Sequence, residues 1–218
     1  MTLLHVDSVV KKFGDKLVLS DVFISCKQGE IIGILGRNGS GKSTLLKIIF
    51  GSLKAEYKFV RVGDRFVNSL YDAKGLVGYL PQEPFMPNHV KVHRVIGLFC
   101  DEKNASIIAE NKLVKPLLNK KACQLSGGER RVLEILLIVH SNVQFVLLDE
   151  PFNGVAPIYK EEIKRTMEEQ SLKKGFIITD HDYRNVLDVA TRTILIHDGT
   201  TRTINQPDEL LDWGYLPR

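Results

Sequence analysis

Apolar residues in the first part of the chain follow the alternation and the short continuous runs that are typical of β-strands. The continuous run Ile31–Leu35 has the character of a strand buried on both faces, and a helical pattern follows it. The elements predicted here are strands at 3–10 and 17–25 joined by a turn at 13–16, the strand Ile31–Leu35, a helix at 43–50 that ends at Gly51, and less regular strand-like sequence over 57–79.

The pattern becomes helical from about residue 84 to residue 122, and then helices and strands alternate. Val92, Val95, Ile96 and Phe99 are spaced to share one face of a helix. The other predicted elements are helices at 105–115, 129–140 and 158–172 (the last closed by Lys174-Gly175), strands at 145–148 and 176–179, and a hairpin over 193–204 around Asp198-Gly199. Strands that alternate with helices form mostly parallel sheets, so the sequence predicts an α/β fold.

The expected architecture is one domain over residues 1–218 with a short helical insert. The core and an antiparallel β subdomain would occupy 1–83 and 123–218, and the insert about 84–122. The core sheet would be mostly parallel.

The most specific local motif is the glycine-rich segment 36–44, between the predicted buried strand and the next helix. It has the form GxxxxGK[ST], in which backbone N–H groups surround phosphate oxygens and the helix N-terminus adds partial positive charge. Lys42 is expected to reach the β- and γ-phosphates, and the Ser43 hydroxyl to hold Mg²⁺. The predicted nucleotide-binding residues are Gly36, Asn38, Gly39, Ser40, Gly41, Lys42, Ser43 and Thr44. A glycine-rich turn with a chance lysine is the alternative, and the flanking strand and helix argue against it.

A second chemical feature is the pair of carboxylates that ends the apolar run 145–148. A strand at this position would place Asp149 at the carboxyl edge of the sheet, near Mg²⁺. Glu150 would then orient and deprotonate the attacking water. A strand followed by an acidic turn is common, so this interpretation depends on the phosphate loop.

A second glycine-rich loop, Gln124-Leu-Ser-Gly-Gly-Glu129, opens another predicted helix. A helix N-terminus is an anion site, although Ser126 by itself is adequately explained as an N-cap. A single bound nucleotide does not need two helix N-termini on the same side. We therefore expect Ser126, Gly127 and Gly128 to contact the γ-phosphate of a nucleotide held by another subunit.

Composition narrows the class of protein without identifying it. The net charge of +4 on 218 residues fits a polyanionic small ligand or an anionic membrane surface, and it is too small to indicate nucleic acid. The three cysteines lack the spacing of a zinc site or a disulfide framework. No signal-peptide pattern opens the chain, and the most apolar stretch, 132–139, is too short to span a bilayer. We expect a cytoplasmic protein that reaches a membrane through a partner.

The motifs, in this order, resemble those of ABC transporter ATPases over essentially the whole chain. The motifs are the phosphate loop, Gln82 in Tyr79-Leu-Pro-Gln-Glu83, Leu125-Ser-Gly-Gly-Glu129, the segment 145–150, and His181 in Ile178-Thr-Asp-His181. The resemblance implies a P-loop NTPase fold of the ABC type that binds ATP and Mg²⁺. It also implies that Phe13 stacks on adenine, that Gln82 contacts Mg²⁺ and the attacking water, and that His181 touches the γ-phosphate. The expected catalytic residues are Lys42, Gln82, Glu150 and His181, and the expected metal-binding residues are Ser43, Gln82 and Asp149.

Some sequence segments resemble a narrower group within the family, and other positions depart from the family pattern. Segments such as Gly-Gly-Glu-Arg-Arg and Asp-Glu-Pro-Phe-Asn-Gly-Val most resemble the ATPases of bacterial lipopolysaccharide export and of amino-acid import. The insert looks short. Ala156 stands where the family usually has an aspartate that communicates between the two sites of a dimer, so coupling between the sites is in doubt.

The leading hypothesis is a transporter subunit that hydrolyses ATP in a head-to-tail dimer, with itself or a homologous cassette, on the inner face of the membrane. A separate transmembrane permease would dock near Gln82, Phe85 and Met86, although core packing explains the last two equally well. The alternative is a soluble scaffold of the iron–sulfur-assembly type. DNA-repair relatives would need a long coiled-coil insertion and translation-factor relatives two cassettes, and the chain has neither. The substrate and direction of transport are not predicted.

Overall fold

The computed structural model describes residues 2–216, which form two β-sheets and the helices that pack on them. The strands are β1 (Leu3–Phe13), β2 (Lys16–Lys27), β3 (Ile31–Leu35), β4 (Tyr57–Val62), β5 (Arg65–Phe66), β6 (Val77–Leu80), β7 (Phe145–Asp149), β8 (Gly175–Thr179), β9 (Arg192–His197) and β10 (Thr200–Ile204). The helices are α1 (Lys42–Phe50), α2 (Leu70–Ala73), α3 (Val92–Phe99), α4 (Glu102–Glu110), α5 (Gly127–His140), α6 (Pro157–Ser171), α7 (Tyr183–Leu187) and α8 (Glu209–Asp212).

The larger sheet has six strands in the order β10-β9-β3-β8-β7-β6. All its neighbours pair in parallel except β10, which returns antiparallel to β9 as the predicted hairpin. The smaller sheet has the order β2-β1-β4-β5 and is antiparallel throughout. The predicted α/β fold with a mostly parallel core sheet and an antiparallel β subdomain is confirmed.

Alternate side chains of the core sheet belong to two different hydrophobic clusters, as strand geometry requires. Ile32 and Ile34 pack in a cluster with α1 and the inner side of the smaller sheet. Ile31 and Leu35 belong to the other cluster, which contains residues of α3, α5 and α6. Helix α5 is buried at every position from 131 to 140, which agrees with its unusually apolar sequence.

One predicted helix in the segment 84–122 is displaced along the chain. The prediction was 105–115, whereas α4 covers Glu102–Glu110. Asp101 sets the start, because its side chain accepts a hydrogen bond from Asn104 N at 2.8 Å. The Asn111 side chain accepts from Leu113 N at 2.9 Å, a local turn that competes with helix continuation.

The prediction that Gly175 closes the helix before β8 was wrong. Helix α6 ends at Ser171, and Gly175 is the first residue of β8. A Cβ at this position would lie 2.6 Å from the Phe145 ring. The glycine therefore permits close packing beside β7 and has no helix-capping role.

Candidate nucleotide-binding site

The loop between β3 and α1 takes a backbone path that depends on its glycines. Gly41 has a φ of 101°, in the left-handed region, immediately before α1 begins. A Cβ there would come within 2.7 Å of the Leu19 side chain in the smaller sheet. Position 41 therefore requires glycine for two reasons, the left-handed backbone conformation and the close approach of the antiparallel sheet.

Lys42 is the first residue of α1, and its side chain contacts the backbone of this loop. Its side-chain Nζ donates to Gly36 O at 2.6 Å and to Arg37 O at 3.4 Å, and the residue is only 8% exposed. Burial lowers the pKa of Lys42, and the nearby carboxylates of Glu150, Asp149 and Asp180 oppose that shift.

Asp149 is held at the carboxyl edge of the core sheet by side chains from three other elements. Its Oδ1 accepts from Ser43 Oγ and from Thr179 Oγ1, each at 2.9 Å, and its Oδ2 accepts from Tyr79 OH at 3.0 Å. The last two donors stand at or beside the carboxyl ends of β8 and β6, the strands on either side of β7. Burial, reinforced by the Asp149 charge, raises the pKa of Tyr79, so the phenol keeps the proton that it donates.

Glu150 follows Asp149 in a strained conformation, with a φ of 52° that non-glycine residues rarely adopt. Its carboxylate is surrounded by polar groups. Oε1 accepts from Gln82 Nε2 at 2.8 Å, and Oε2 lies 2.8 Å from His181 Nε2 and 3.3 Å from Asn153 Nδ2. Gln82, Glu150 and His181, which lie far apart in the sequence, are thus in direct contact.

The predicted metal-binding residues also meet. Gln82 Nε2 lies 3.0 Å from Ser43 Oγ and 3.4 Å from Asp149 Oδ1, and Ser43 contacts Asp149 directly. Ser43, Asp149 and Gln82 can supply hydroxyl, carboxylate and amide oxygens, a set that suits Mg²⁺, and here the Gln82 amide turns its nitrogen toward the other two. Mg²⁺ typically takes few protein ligands and completes its shell with phosphates and water. Residues 2–216 hold no cluster of three or more His, Cys, Asp or Glu placed to bind a metal ion.

A cavity of about 470 Å³ joins these groups. Its lining residues are Phe13, Lys16, Val18, Asn38, Gly39, Ser40, Gly41, Lys42, Ser43, Thr44, Gln82, Glu150 and His181. Phe13 stands half exposed at this cavity, so its ring is available for stacking. Gly36 lines an adjoining groove that also contains Lys42 and His181.

The second glycine-rich loop does not contribute to this cavity. Ser126 caps α5 instead: its Oγ accepts from Glu129 N at 3.3 Å, and its own N–H donates to Glu129 Oε2 at 2.7 Å. Ser126 and Gly127 are exposed at the protein surface. The structure therefore separates Ser126, Gly127 and Gly128 from the phosphate loop of their own chain.

Sequence reasoning missed three residues of the site. Tyr79 and Thr179 hold Asp149, and both follow from one signal, their position near the carboxyl end of a strand beside β7. Arg131 donates to Pro81 O at 2.6 Å and to Asp149 O at 2.7 Å. Nothing in a run of two arginines indicates that one of them is buried against the backbone at Pro81 and Asp149.

The two apolar residues after Gln82, Phe85 and Met86, lie in different environments. Met86 is 3% exposed and belongs to the core, so the core-packing interpretation is correct for it. Phe85 is partly buried, and its ring packs against that of Phe99 at a centroid distance of 5.4 Å. A docking surface at this site cannot therefore use Met86.

Comparison with known proteins agrees with the geometry of the site. The family described as ABC transporter matches residues 19–153. The lipopolysaccharide export system ATP-binding protein LptB of Acidithiobacillus ferridurans is 33% identical over 96% of this chain and 92% of its own length, and LptB of Escherichia coli K12 is 32% identical over 100% and 96%. These relatives confirm the resemblance to lipopolysaccharide-export ATPases.

Solved structures agree as well. A nucleotide-free ATP-binding cassette from an ABC transporter superposes with a TM-score of 0.80 at 25% identity, covering 100% of this chain and 96% of that one. Across residues 2–216, no helix has both the length and the apolar character that crossing a membrane demands. With its family match, its relatives and its fold in agreement, the chain belongs to the ABC transporter family as an ATP-binding protein.

Proposed function

We propose that the chain binds and hydrolyses Mg·ATP in a head-to-tail dimer and thereby drives a separate transmembrane permease on the inner face of the cell membrane. The observation that carries the proposal is the environment of Glu150. Its carboxylate, 6% exposed, is in contact with Gln82, His181 and Asn153 at the cavity that Lys42 and Phe13 also line.

The position of each residue at the cavity gives it a separate role in hydrolysis. Phe13 offers an aromatic face to the base, and the phosphate loop offers backbone N–H groups and Lys42 to the phosphates. Glu150 accepts a proton from the attacking water, and Gln82 and His181 orient that carboxylate from opposite oxygens. Ser43, Gln82 and Asp149 would hold Mg²⁺, which supplies charge neutralisation at the phosphates.

The dimer is supported by the separation between the two glycine-rich loops. Ser126, Gly127 and Gly128 do not line the cavity of the phosphate loop, although Gly127 lines the neighbouring cavity beside Gln82 and Glu150. They begin a helix whose N-terminus attracts anions. A symmetric pair of chains would place this turn of each subunit against the nucleotide of the other. A second copy or a homologous cassette would satisfy this requirement.

The permease partner is supported by the relatives. Two of them are named as ATP-binding proteins of a lipopolysaccharide export system, which favours a transport role over an iron–sulfur-assembly scaffold. The cargo carried by a permease of this chain does not follow from its own residues.

The variant Glu150→Gln tests the proposal. The amide cannot accept the proton of water, whereas the contacts to nucleotide remain, so we expect no turnover and accumulation of an ATP-bound dimer. Steady-state phosphate release and light scattering with saturating Mg·ATP measure the two effects. Glu168→Gln, on the exposed side of α6, is the matched control and should behave as wild type.

A second substitution separates dimerisation from binding. Adding Ser126→Arg to the Glu150→Gln variant should abolish the dimer and leave nucleotide binding intact, because the bulky side chain blocks the proposed contact with the opposing phosphate. Wild-type turnover in Glu150→Gln would refute the catalytic assignment. A Glu150→Gln protein that stays monomeric with Mg·ATP would refute the dimer. Co-purification of the chain with a membrane permease from detergent-solubilised native membranes tests the proposed permease partner.

A further inference from the structure

A carboxylate is completely buried in the middle of α5. Glu134 is 0% exposed, although its neighbours on the helix are apolar core residues. A buried carboxylate costs free energy unless hydrogen bonds and opposite charges compensate it. Here one oxygen, Oε1, accepts from Phe85 N at 2.9 Å, Met86 N at 3.2 Å and Arg130 Nε at 3.3 Å.

Arg130 binds the same segment from its other side. Its Nη2 donates to Met86 O at 2.6 Å, and its Nη1 donates to Asn88 Oδ1 at 2.9 Å. Arg130 and Glu134 lie one helical turn apart and pair with each other at 3.3 Å. Two side chains of α5 thus bind the N–H groups of Phe85 and Met86, the C=O group of Met86 and the side chain of Asn88.

Arg131 completes the arrangement on the opposite side of Gln82. It donates to Pro81 O at 2.6 Å, to Asp149 O at 2.7 Å and to Glu150 O at 3.1 Å. The backbone before Gln82 is therefore fixed by Arg131, and the backbone after it by Glu134 and Arg130. We call Arg130, Arg131 and Glu134 the α5 clasp.

We propose that Glu134 is a positioning residue that holds the segment after Gln82 so that the Gln82 amide reaches Glu150. The inference rests on the proposed hydrolysis by Glu150. Gln82 is exposed, and it reaches Glu150 Oε1 at 2.8 Å from a loop with no regular secondary structure. Without Glu134, this loop would lose the contacts to Phe85 N and Met86 N that fix the backbone after Gln82.

The clasp also connects two functional regions. Helix α5 begins at the turn that we assign to the nucleotide of the partner subunit, and Glu134 lies two turns further along the same helix. A displacement of that turn would move Glu134 and with it the segment that carries Gln82. In the proposed dimer, the clasp would therefore connect the partner's nucleotide to the catalytic site of its own chain.

The other oxygen of Glu134 makes a conservative test possible. Oε2 has no hydrogen-bond partner among residues 2–216, and Glu134 lines a cavity of about 220 Å³ together with Gln82 and Glu150. A glutamine at 134 keeps the accepting oxygen and loses only the charge that Oε2 presents to Arg131 Nη1 at 3.9 Å. A leucine leaves Phe85 N, Met86 N and the Arg130 guanidinium without their acceptor.

The experiment compares Glu134→Leu and Glu134→Gln in the whole chain with Mg·ATP. We expect kcat to fall about tenfold or more in the leucine variant, with KM for ATP within about twofold of wild type, because catalysis depends on placement that binding does not need. The glutamine variant should stay within about threefold of wild-type kcat, since it preserves the acceptor. Hydrogen exchange should accelerate in peptides covering 82–90 of the leucine variant and stay unchanged over 36–44.

The outcomes separate the clasp from the proposed function. Wild-type kcat and wild-type exchange over 82–90 in Glu134→Leu would overturn the clasp, and so would equal losses in the leucine and glutamine variants. If Glu134→Leu does not fold, Arg130→Met removes the other α5 side chain that binds Met86. An unchanged rate of hydrogen exchange over 82–90 in that variant would overturn the proposal. Absence of hydrolysis by the wild-type chain would count against the proposed function alone, because the exchange measurement needs no turnover.

Discussion

Replacing Ala156 by aspartate is expected to have two separable effects, one on the chain alone and one on its dimer. Ala156 is the N-cap of α6, with φ −64° and ψ 150°, and it offers no side-chain acceptor to the first turn. Pro157 follows at the first helical position, where it needs no partner for a backbone N–H. Aspartate would accept from the N–H of Ile158 or Tyr159 and would place a negative charge at the positive end of the helix.

The first effect can be worked out from helix capping. Ala156 is exposed, so a carboxylate there is not desolvated. A good N-cap in place of alanine adds about 1 kcal/mol to the free energy of unfolding. For a chain of this length, that corresponds to a rise in Tm of about 3 °C. Thermal unfolding of the nucleotide-free protein measures it.

The second effect concerns the contact that an aspartate would make across the proposed dimer. A charge-assisted hydrogen bond to the opposing subunit contributes about 1.5–3 kcal/mol, which lowers the dissociation constant of the ATP-bound dimer about tenfold or more. Asn153, the neighbouring polar candidate for this role, is already in contact with Glu150 of its own chain at 3.3 Å. We therefore expect a weak ATP-bound dimer in the natural protein and a higher Hill coefficient in Ala156→Asp.

Ala156→Asn is the matched control, because asparagine caps a helix about as well as aspartate but carries no charge. Both variants should raise Tm, and only the aspartate should tighten the dimer, as measured by light scattering in the Glu150→Gln protein. An unchanged Tm in both would refute the capping argument. Equal dimer affinity in both would show that the missing carboxylate is compensated elsewhere.

Two further predictions concern Lys42 and His140. Lys42→Ala should abolish ATP hydrolysis and greatly weaken nucleotide binding in titration calorimetry, since it removes the cation that reaches the phosphates, and wild-type turnover would exclude the phosphate-loop assignment. Burial, aided by the positive charge of Lys174, lowers the pKa of His140 from 6.5 to about 4. Between these two pH values the unfolded chain therefore binds a proton at His140 that the folded protein does not bind. The contribution of His140 to the free energy of unfolding should therefore fall by about 2 kcal/mol between about pH 7.5 and pH 5, and His140→Gln should show a pH dependence weaker by that amount in urea unfolding.

The sequence was sufficient for the parts of the site that local spacing determines. The phosphate loop lies between a buried strand and a helix, and Asp149 ends a strand, so both positions follow from elements that neighbouring residues specify. Chain folding then brings Gln82 and His181 to Glu150, and only the family resemblance predicted that meeting.

What the sequence could not predict depends on contacts between distant residues. Glu134 interrupts an apolar run, and its partners in the backbone of 85 and 86 lie 49 and 48 residues away. Gly175 follows a helix, where glycine usually marks the end, yet its requirement comes from the Phe145 ring on the adjacent strand. Side-chain periodicity carries no information about either neighbour.

The capping role of Ser126 and its proposed role toward a partner's phosphate are compatible. The hydroxyl oxygen accepts from Glu129 N, which leaves the hydroxyl proton free to donate to a phosphate oxygen. Glu129, however, already places a carboxylate at this helix end, and its backbone hydrogen bond from Ser126 lowers its pKa and keeps it charged. That charge offsets part of the attraction between the helix N-terminus and an anion. Under the proposed function, the turn is therefore better suited to a phosphate that another subunit already holds in place than to capturing a free one.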